Sequence, residues 1–233
     1  MKKRLALSQF YSVRTQAAFF DLDNTLIDGS SVYYFIKGMI KHGEITRRNL
    51  ARIAYDQYRF QRKKTESENA ISHATKKLLE FAKDKPQKHL VELCQKVVDD
   101  FLPRVLIPAM RTKIEEHKAL GHDTWIITAS PIELARIVAA DLKMTGAFGS
   151  AGEVINGKYS GKLPEGAMHG MRKAQTIHEL AQEKGYDLSS SFAYSDSVND
   201  LPLLVSVGNP HIVNPNKELT IIANKNKWPI LVK

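Results

Sequence analysis

The chain has 233 residues, 43% hydrophobic and 25% charged, so a packed core is expected and a disordered or low-complexity chain is excluded. No apolar stretch approaches the ~18–20 residues of a membrane-spanning helix; near-candidates such as Trp125 to Ala129 are only strand-sized. The formal net charge of +9 favours anionic partners, whether phosphates, nucleic acid or acidic membrane, without choosing among them.

The N-terminus carries Lys2, Lys3 and Arg4, followed only by Leu5, Ala6 and Leu7 before Ser8. It lacks the apolar segment of a secretory signal, so residues 1–15 read as a basic tail on a cytoplasmic protein. The single cysteine, Cys94, fits a reducing compartment and a buried apolar role. From Gln16 to Leu22 the run Ala17, Ala18, Phe19, Phe20 is continuously apolar, as expected of a central parallel strand, and it ends in an acidic loop.

Ser31 to Lys41 reads as a helix closed by Gly43, and Ile45 to Gln61 as a second, basic one. Thr65 and Glu68 form a capping box for a third helix through Phe81, and Pro86 opens a fourth running to about Phe101. This all-helical stretch holds sixteen basic and nine acidic residues between Ser30 and Ile107, so +7 of the net charge lies there.

Strand and helix then alternate: a helix from Pro108 to about Leu120, a strand from Asp123 to Thr128, and a helix start at Ser130, Pro131 and Glu133 read as cap, first-turn proline and capping-box acid. Asn156-Gly157 reads as a hairpin turn. A helix follows at Met171 to Lys184, a strand at Ser191 to Tyr194, a short helix at Leu201 to Leu204 and a strand at His211 to Val213. The last elements are a helix at about Asn216 to Asn224 and a strand at Ile230 to Val232. The pattern predicts a doubly wound parallel α/β sheet with an all-helical insertion after the first strand.

Asp21-Leu22-Asp23-Asn24-Thr25 stands directly after the first strand, where one carboxylate can attack and its neighbour can manage a proton. Asp196 and Asp200 follow another apolar strand. In an open parallel sheet the carboxyl ends of strands share one edge, so the two acidic groups should converge if their strands are neighbours. Clustered carboxylates without nearby His or Cys suit Mg²⁺, which takes oxygen ligands and needs only one or two carboxylates. Thr128 and Ser130 could hold phosphate oxygens at a helix start, and Lys173 is placed either in solvent or facing an anion. The eight histidines are scattered without metal-ligand spacing and read mostly as surface residues or as residues supporting the site from behind, with His169 close enough in sequence to Lys173 to approach the site.

Asp21-x-Asp23-x-Thr25, Thr128, Lys173 and Asp196-x-x-x-Asp200 resemble, in order and placement, the four motifs of the haloacid dehalogenase-like phosphohydrolases. The helical insertion resembles the cap of the phosphoserine phosphatase-like subgroup, and the resemblance spans Gln16 to Val232. It implies a Rossmann-like core of residues 16–29 and 108–233 with a cap of residues 30–107. It implies Asp21 as nucleophile, Asp23 as general acid and base, and Thr128 and Lys173 as catalytic phosphoryl contacts. Asp21, Asp23, Asp196 and Asp200 would hold Mg²⁺; Thr128, Ala129, Ser130, Lys173, Asn199 and Ser30 would bind substrate.

The partner implied is a small-molecule phosphomonoester, with no nucleic-acid or membrane partner singled out; the alternatives are a phosphoserine phosphatase proper and, from the charge, a basic anion- or nucleic-acid-binding module. Two departures stand out: Ser195 precedes Asp196 where the family usually has glycine, and Ser30 stands where true phosphoserine phosphatases carry an amine-recognising glutamate. The basic run Arg59 to Lys64 shows no counterpart of their carboxylate-binding arginine motif, so phosphoserine is disfavoured as substrate.

Overall fold

The structure, a computed structural model, describes residues 15–46 and 77–232. The basic tail, most of the second and third expected helices and the Arg59 to Lys64 run lie outside the described residues; residues 77–82 are helical. In chain order the strands are β1 (Ala17–Phe20), β2 (Asp123–Pro131), β3 (Gly146–Ser150), β4 (Val154–Ile155), β5 (Lys158–Tyr159), β6 (Phe192–Ser195), β7 (Asn209–Val213) and β8 (Ile230–Leu231). The labelled helices are α1 (Ser31–Lys41), α2 (Gln87–Val105), α3 (Pro108–Ala119), α4 (Ile132–Asp141), α5 (Met171–Lys184), α6 (Leu201–Val205) and α7 (Lys217–Asn226). No helix among the described residues is long and apolar enough to cross a membrane.

Six strands form one parallel sheet in the order β3-β2-β1-β6-β7-β8, the doubly wound Rossmann-like arrangement expected from the alternation. β1 lies at its centre because helices cover both faces: Ala18 and Phe20 pack on one side with residues of α1, α2, α3 and α4, while Ala17 and Phe19 pack on the other with α5, α6 and α7. A strand buried on both faces needs apolar side chains at successive positions, which explains the unbroken Ala17 to Phe20 run. β1 pairs with β2 on one side and β6 on the other, so the acidic loops after β1 and β6 are neighbours.

Several boundaries differ from the sequence reading, three of them near the site or the helical segment. α2 continues past Phe101 to Val105 and accommodates Pro103 in its last turn. β2 runs to Pro131, with a register shift against β3 after Ile127, and α4 starts at Ile132 with no side-chain cap. Ser130 is therefore not a helix cap: its hydroxyl lies 2.6 Å from that of Ser31 and donates to Asp23. β3 is a strand that the sequence pattern does not announce, because its two glycines depress strand propensity. They are there for closeness: a Cβ on Gly146 would meet the Trp125 ring at 2.6 Å, and one on Gly149 would meet the Ser130 carbonyl at 2.7 Å. The Asn156-Gly157 hairpin joins β4 to β5 as expected, with both residues in the left-handed region that a type I′ turn requires.

Most of the described histidines are exposed or partly exposed, as expected, but three of them come together in the fold. His117 is buried beneath the sheet, its Nε2 2.9 Å from the Tyr194 hydroxyl and its Nδ1 2.9 Å from Nδ1 of His122, while His211 stacks on Tyr194. Burial pushes His117 down to about 4, with His122, His211 and Lys113 adding to the fall and Glu116 opposing it. The unfolded chain therefore takes up a proton at His117 near pH 6.5 that the folded chain refuses until about pH 4. Stability contributed by the neutral ring is complete above that window and is lost as pH falls through it. The thermal midpoint is expected to drop between pH 7 and pH 4.5, and His117→Gln, which keeps a partner for Tyr194, should flatten the slope; equal slopes in both proteins would contradict the assignment.

Candidate active site

The loop after β1 leaves the sheet edge and is pinned where the helical segment returns. The backbone N–H of Asp28 donates to the Val105 carbonyl at 2.7 Å, and that of Ile107 to the Leu26 carbonyl at 2.9 Å. Asn24 takes a left-handed conformation, which Asn tolerates better than most residues, and its N–H donates to the Gly29 carbonyl. The result is a tight loop that directs Asp21 and Asp23 to different surroundings.

Asp21 is buried at the end of β1, its N–H bonded to the Tyr194 carbonyl of β6. The Lys173 ammonium sits 2.7 Å from Asp21 Oδ1 and 2.7 Å from Asp200 Oδ2. Lys173 faces anions rather than solvent, and the approach of α5 that brings it there depends on Gly170. That residue adopts a positive φ, and a Cβ on it would lie 3.3 Å from the Asn199 carbonyl. Asp200 also accepts a 2.7 Å bond from the buried Ser195 hydroxyl.

One buried cation thus faces two buried carboxylates, with Asp196 nearby. Burial pushes Asp21 up to about 8 against the pull of Lys173, with Asp200 and Asp23 raising it further. Burial likewise lifts Asp196 to about 6, although its own backbone N–H and Thr25 favour the anion. Burial works against the Lys173 ammonium, but Asp21 and Asp200 outweigh it and hold its pKa above the ordinary value. The edge of the sheet is short of positive charge.

Asp23 is half-buried and turned to the N-terminus of α1. Its Oδ1 accepts from the Ser31 N–H at 2.8 Å, and its Oδ2 lies 3.5 Å from the Ser30 hydroxyl and 3.4 Å from that of Ser130. Thr128 is buried, with its hydroxyl accepting from the Ser130 N–H. Ser30, Ala129, Ser130 and His169 line a cavity of about 250 Å³ together with Asp23. Asn199 is exposed and is not among the residues that line this cavity.

Ser31 and Ser195 escaped the sequence reading as site residues. The signals were there, in the Ser30-Ser31 pair and in a hydroxyl directly before Asp196, but both look like ordinary turn and cap chemistry until the fold brings their partners close.

The chain matches the haloacid dehalogenase-like hydrolase family over residues 18–205. It is 35% identical to the phosphoserine phosphatase SerB1 of Mycobacterium tuberculosis over 216 residues, 93% of this chain and 70% of that one. It is 28% identical to a histidinol-phosphatase of Neisseria meningitidis over 225 residues, 92% of this chain and 97% of that one. Its fold is similar to that of a Bordetella pertussis protein of unknown function, with a TM-score of 0.81 at 24% identity, covering 94% of this chain and 98% of that one. With its parallel sheet and the acidic edge it carries, the chain belongs to the haloacid dehalogenase-like hydrolases, as a phosphoric monoester hydrolase of the phosphoserine phosphatase-like subgroup.

Proposed function

We propose that the protein is a Mg²⁺-dependent phosphatase of small organic phosphomonoesters that works through an aspartyl-phosphate on Asp21. The observation that carries this reading is Lys173, held 2.7 Å from both Asp21 and Asp200 at the sheet edge. An ammonium in that position can draw a phosphate dianion to the nucleophile and offset charge that grows on its oxygens. Asp21 attacks phosphorus while the alcohol departs, and Asp23 donates the proton the alcohol needs. Asp23 then takes a proton from the water that cleaves the acyl phosphate. Its tether to Ser31, Ser30 and Ser130 orients the carboxyl toward the cavity where the alcohol would sit.

The donor set fits Mg²⁺. Burial raises Asp21 and Asp196, the one ammonium at the site is shared between Asp21 and Asp200, and the ligands present are hard oxygens. Among the described residues no three acidic, His or Cys side chains form an all-protein cage, and Mg²⁺ needs none because it retains waters. Asp21, the Asp23 backbone carbonyl and Asp196 would hold the ion, with Asp200 fixing Lys173 beside it. Its charge would let nucleophile and phosphate, both anions, approach. Residues 30–107 would act as the cap over the core of residues 16–29 and 108–233, with α1 contributing its N-terminus to the site. Thr128, Ala129 and Ser130 would contact the phosphoryl group, and Asn199 would act only from outside the cavity lining.

Phosphate release from a panel that includes phosphoserine and histidinol phosphate tests the reading. Chelator should abolish release and Mg²⁺ restore it, and Asp196→Asn should raise the Mg²⁺ concentration for half-activity by about tenfold or more. Undiminished release in chelator would sink the metal assignment.

A further inference from the structure

The cavity beside Asp23 has walls of mostly apolar side chains, among them Phe35, Phe81 and Leu90. Set into this surface is one carboxylate that the proposed chemistry does not use, Glu133. It accepts a 2.5 Å bond from the buried Tyr159 hydroxyl, and no Lys or Arg is among the described residues that line the cavity. Its charge is felt within the cavity wall: burial and then Glu133 push the Cys94 thiol up to about 12, which keeps that cysteine protonated and inert.

A first-turn acid on α4 would complement the helix dipole equally well from an exposed position. Here the side chain is instead half-buried on the surface shared with Asp23, Ala129 and Ser130. Burial and the neighbouring Glu133 raise the Tyr159 pKa, so the phenol remains a donor and fixes the carboxylate in place. An apolar cavity that holds one oriented anion, with no Lys or Arg among its described lining residues, is suited to an apolar body that bears a cation.

We propose that Glu133 is a specificity residue that binds a protonated amine on the substrate, so that the preferred substrates are phosphomonoesters of alcohols carrying an amine on a small apolar or aromatic body. The inference rests on the phosphatase reading, which places the leaving alcohol in this cavity. It also gives phosphoserine a physical disadvantage: its carboxylate would enter beside Glu133 without a Lys or Arg from the described lining to receive it. At about 250 Å³ the cavity suits one ring or a short branched chain rather than a macromolecule.

The test compares kcat/KM for phenylalaninol phosphate and for its deaminated analogue, phenylpropyl phosphate, in wild type, Glu133→Gln and Tyr159→Phe, with p-nitrophenyl phosphate as a general substrate. Wild type should favour the amine by about tenfold or more, mainly through KM, as expected for a charge-assisted hydrogen bond. Glu133→Gln, which can still accept from Tyr159, should cut that preference to about twofold or less, whereas Tyr159→Phe should retain most of it. A preference ratio within one protein is insensitive to loss of folded enzyme. Turnover of p-nitrophenyl phosphate without preference for the amine, or a preference that survives Glu133→Gln, overturns the Glu133 assignment alone. Failure to hydrolyse any of the three esters overturns the phosphatase reading beneath it.

Discussion

Asp21→Asn is expected to reduce phosphate release by at least about 10⁴-fold, because an amide oxygen is not a competent nucleophile for forming an acyl phosphate. The protein should remain folded. Burial already disfavours the Asp21 carboxylate, and an uncharged amide of the same shape can still accept from Lys173. The thermal midpoint should therefore stay the same or rise. Loss of activity with collapse of the fold would leave Asp21 a structural residue, and turnover within tenfold of wild type would remove it as nucleophile.

Lys173→Met should have a different profile, losing both activity and stability. Two carboxylates, Asp21 and Asp200, would be left buried around an apolar side chain. Stripping one partner from a buried ion pair costs ~3–5 kcal/mol, and removing a charge that faces the transferring phosphoryl group costs roughly 10²–10³ in rate. Denaturant midpoints and phosphate release on the same samples separate the two effects. Adding Asp200→Asn to Lys173→Met should return part of the stability but none of the activity. A Lys173→Met protein as stable as wild type would show that the buried triad contributes nothing to folding.

Asp21 is legible in the chain because its surroundings are strongly constrained. Ala17 to Phe20 can be continuously apolar only if both faces of the strand are covered, and the acidic run that follows must then emerge at the sheet edge. Parallel pairing of β1 with β6 brings the second acidic group beside the first, which is why two segments ~175 residues apart could be read as one site. Lys173 was less clear: its sequence position allowed solvent or an anion, and only the docking of α5 through Gly170 decides.

What stayed hidden depends on partners that no local pattern specifies. β3 is a strand of small residues whose glycines make sense only against Trp125 and the Ser130 carbonyl. Ser130 and Glu133 look like a capping box, yet Ser130 turns to Ser31 and Asp23 while Glu133 turns to Tyr159 across the cavity. His117, His122 and His211 have no metal spacing and were read as scattered, but the fold gathers them around Tyr194. In each case a short polar signal has a satisfactory local explanation, and the tertiary contact replaces it.

The central claim, covalent catalysis at Asp21 with Asp23 managing the proton, is tested most directly by rapid mixing of the Asp23→Asn variant with p-nitrophenyl phosphate in Mg²⁺. This leaving group departs without a proton, so the first step should proceed while the second, which needs a base, stalls. The account predicts a burst of one p-nitrophenolate per enzyme, followed by slow turnover, and borohydride reduction during the plateau should convert residue 21 to homoserine. Linear release without a burst, no release at all, or reduction at any residue other than Asp21 would contradict it.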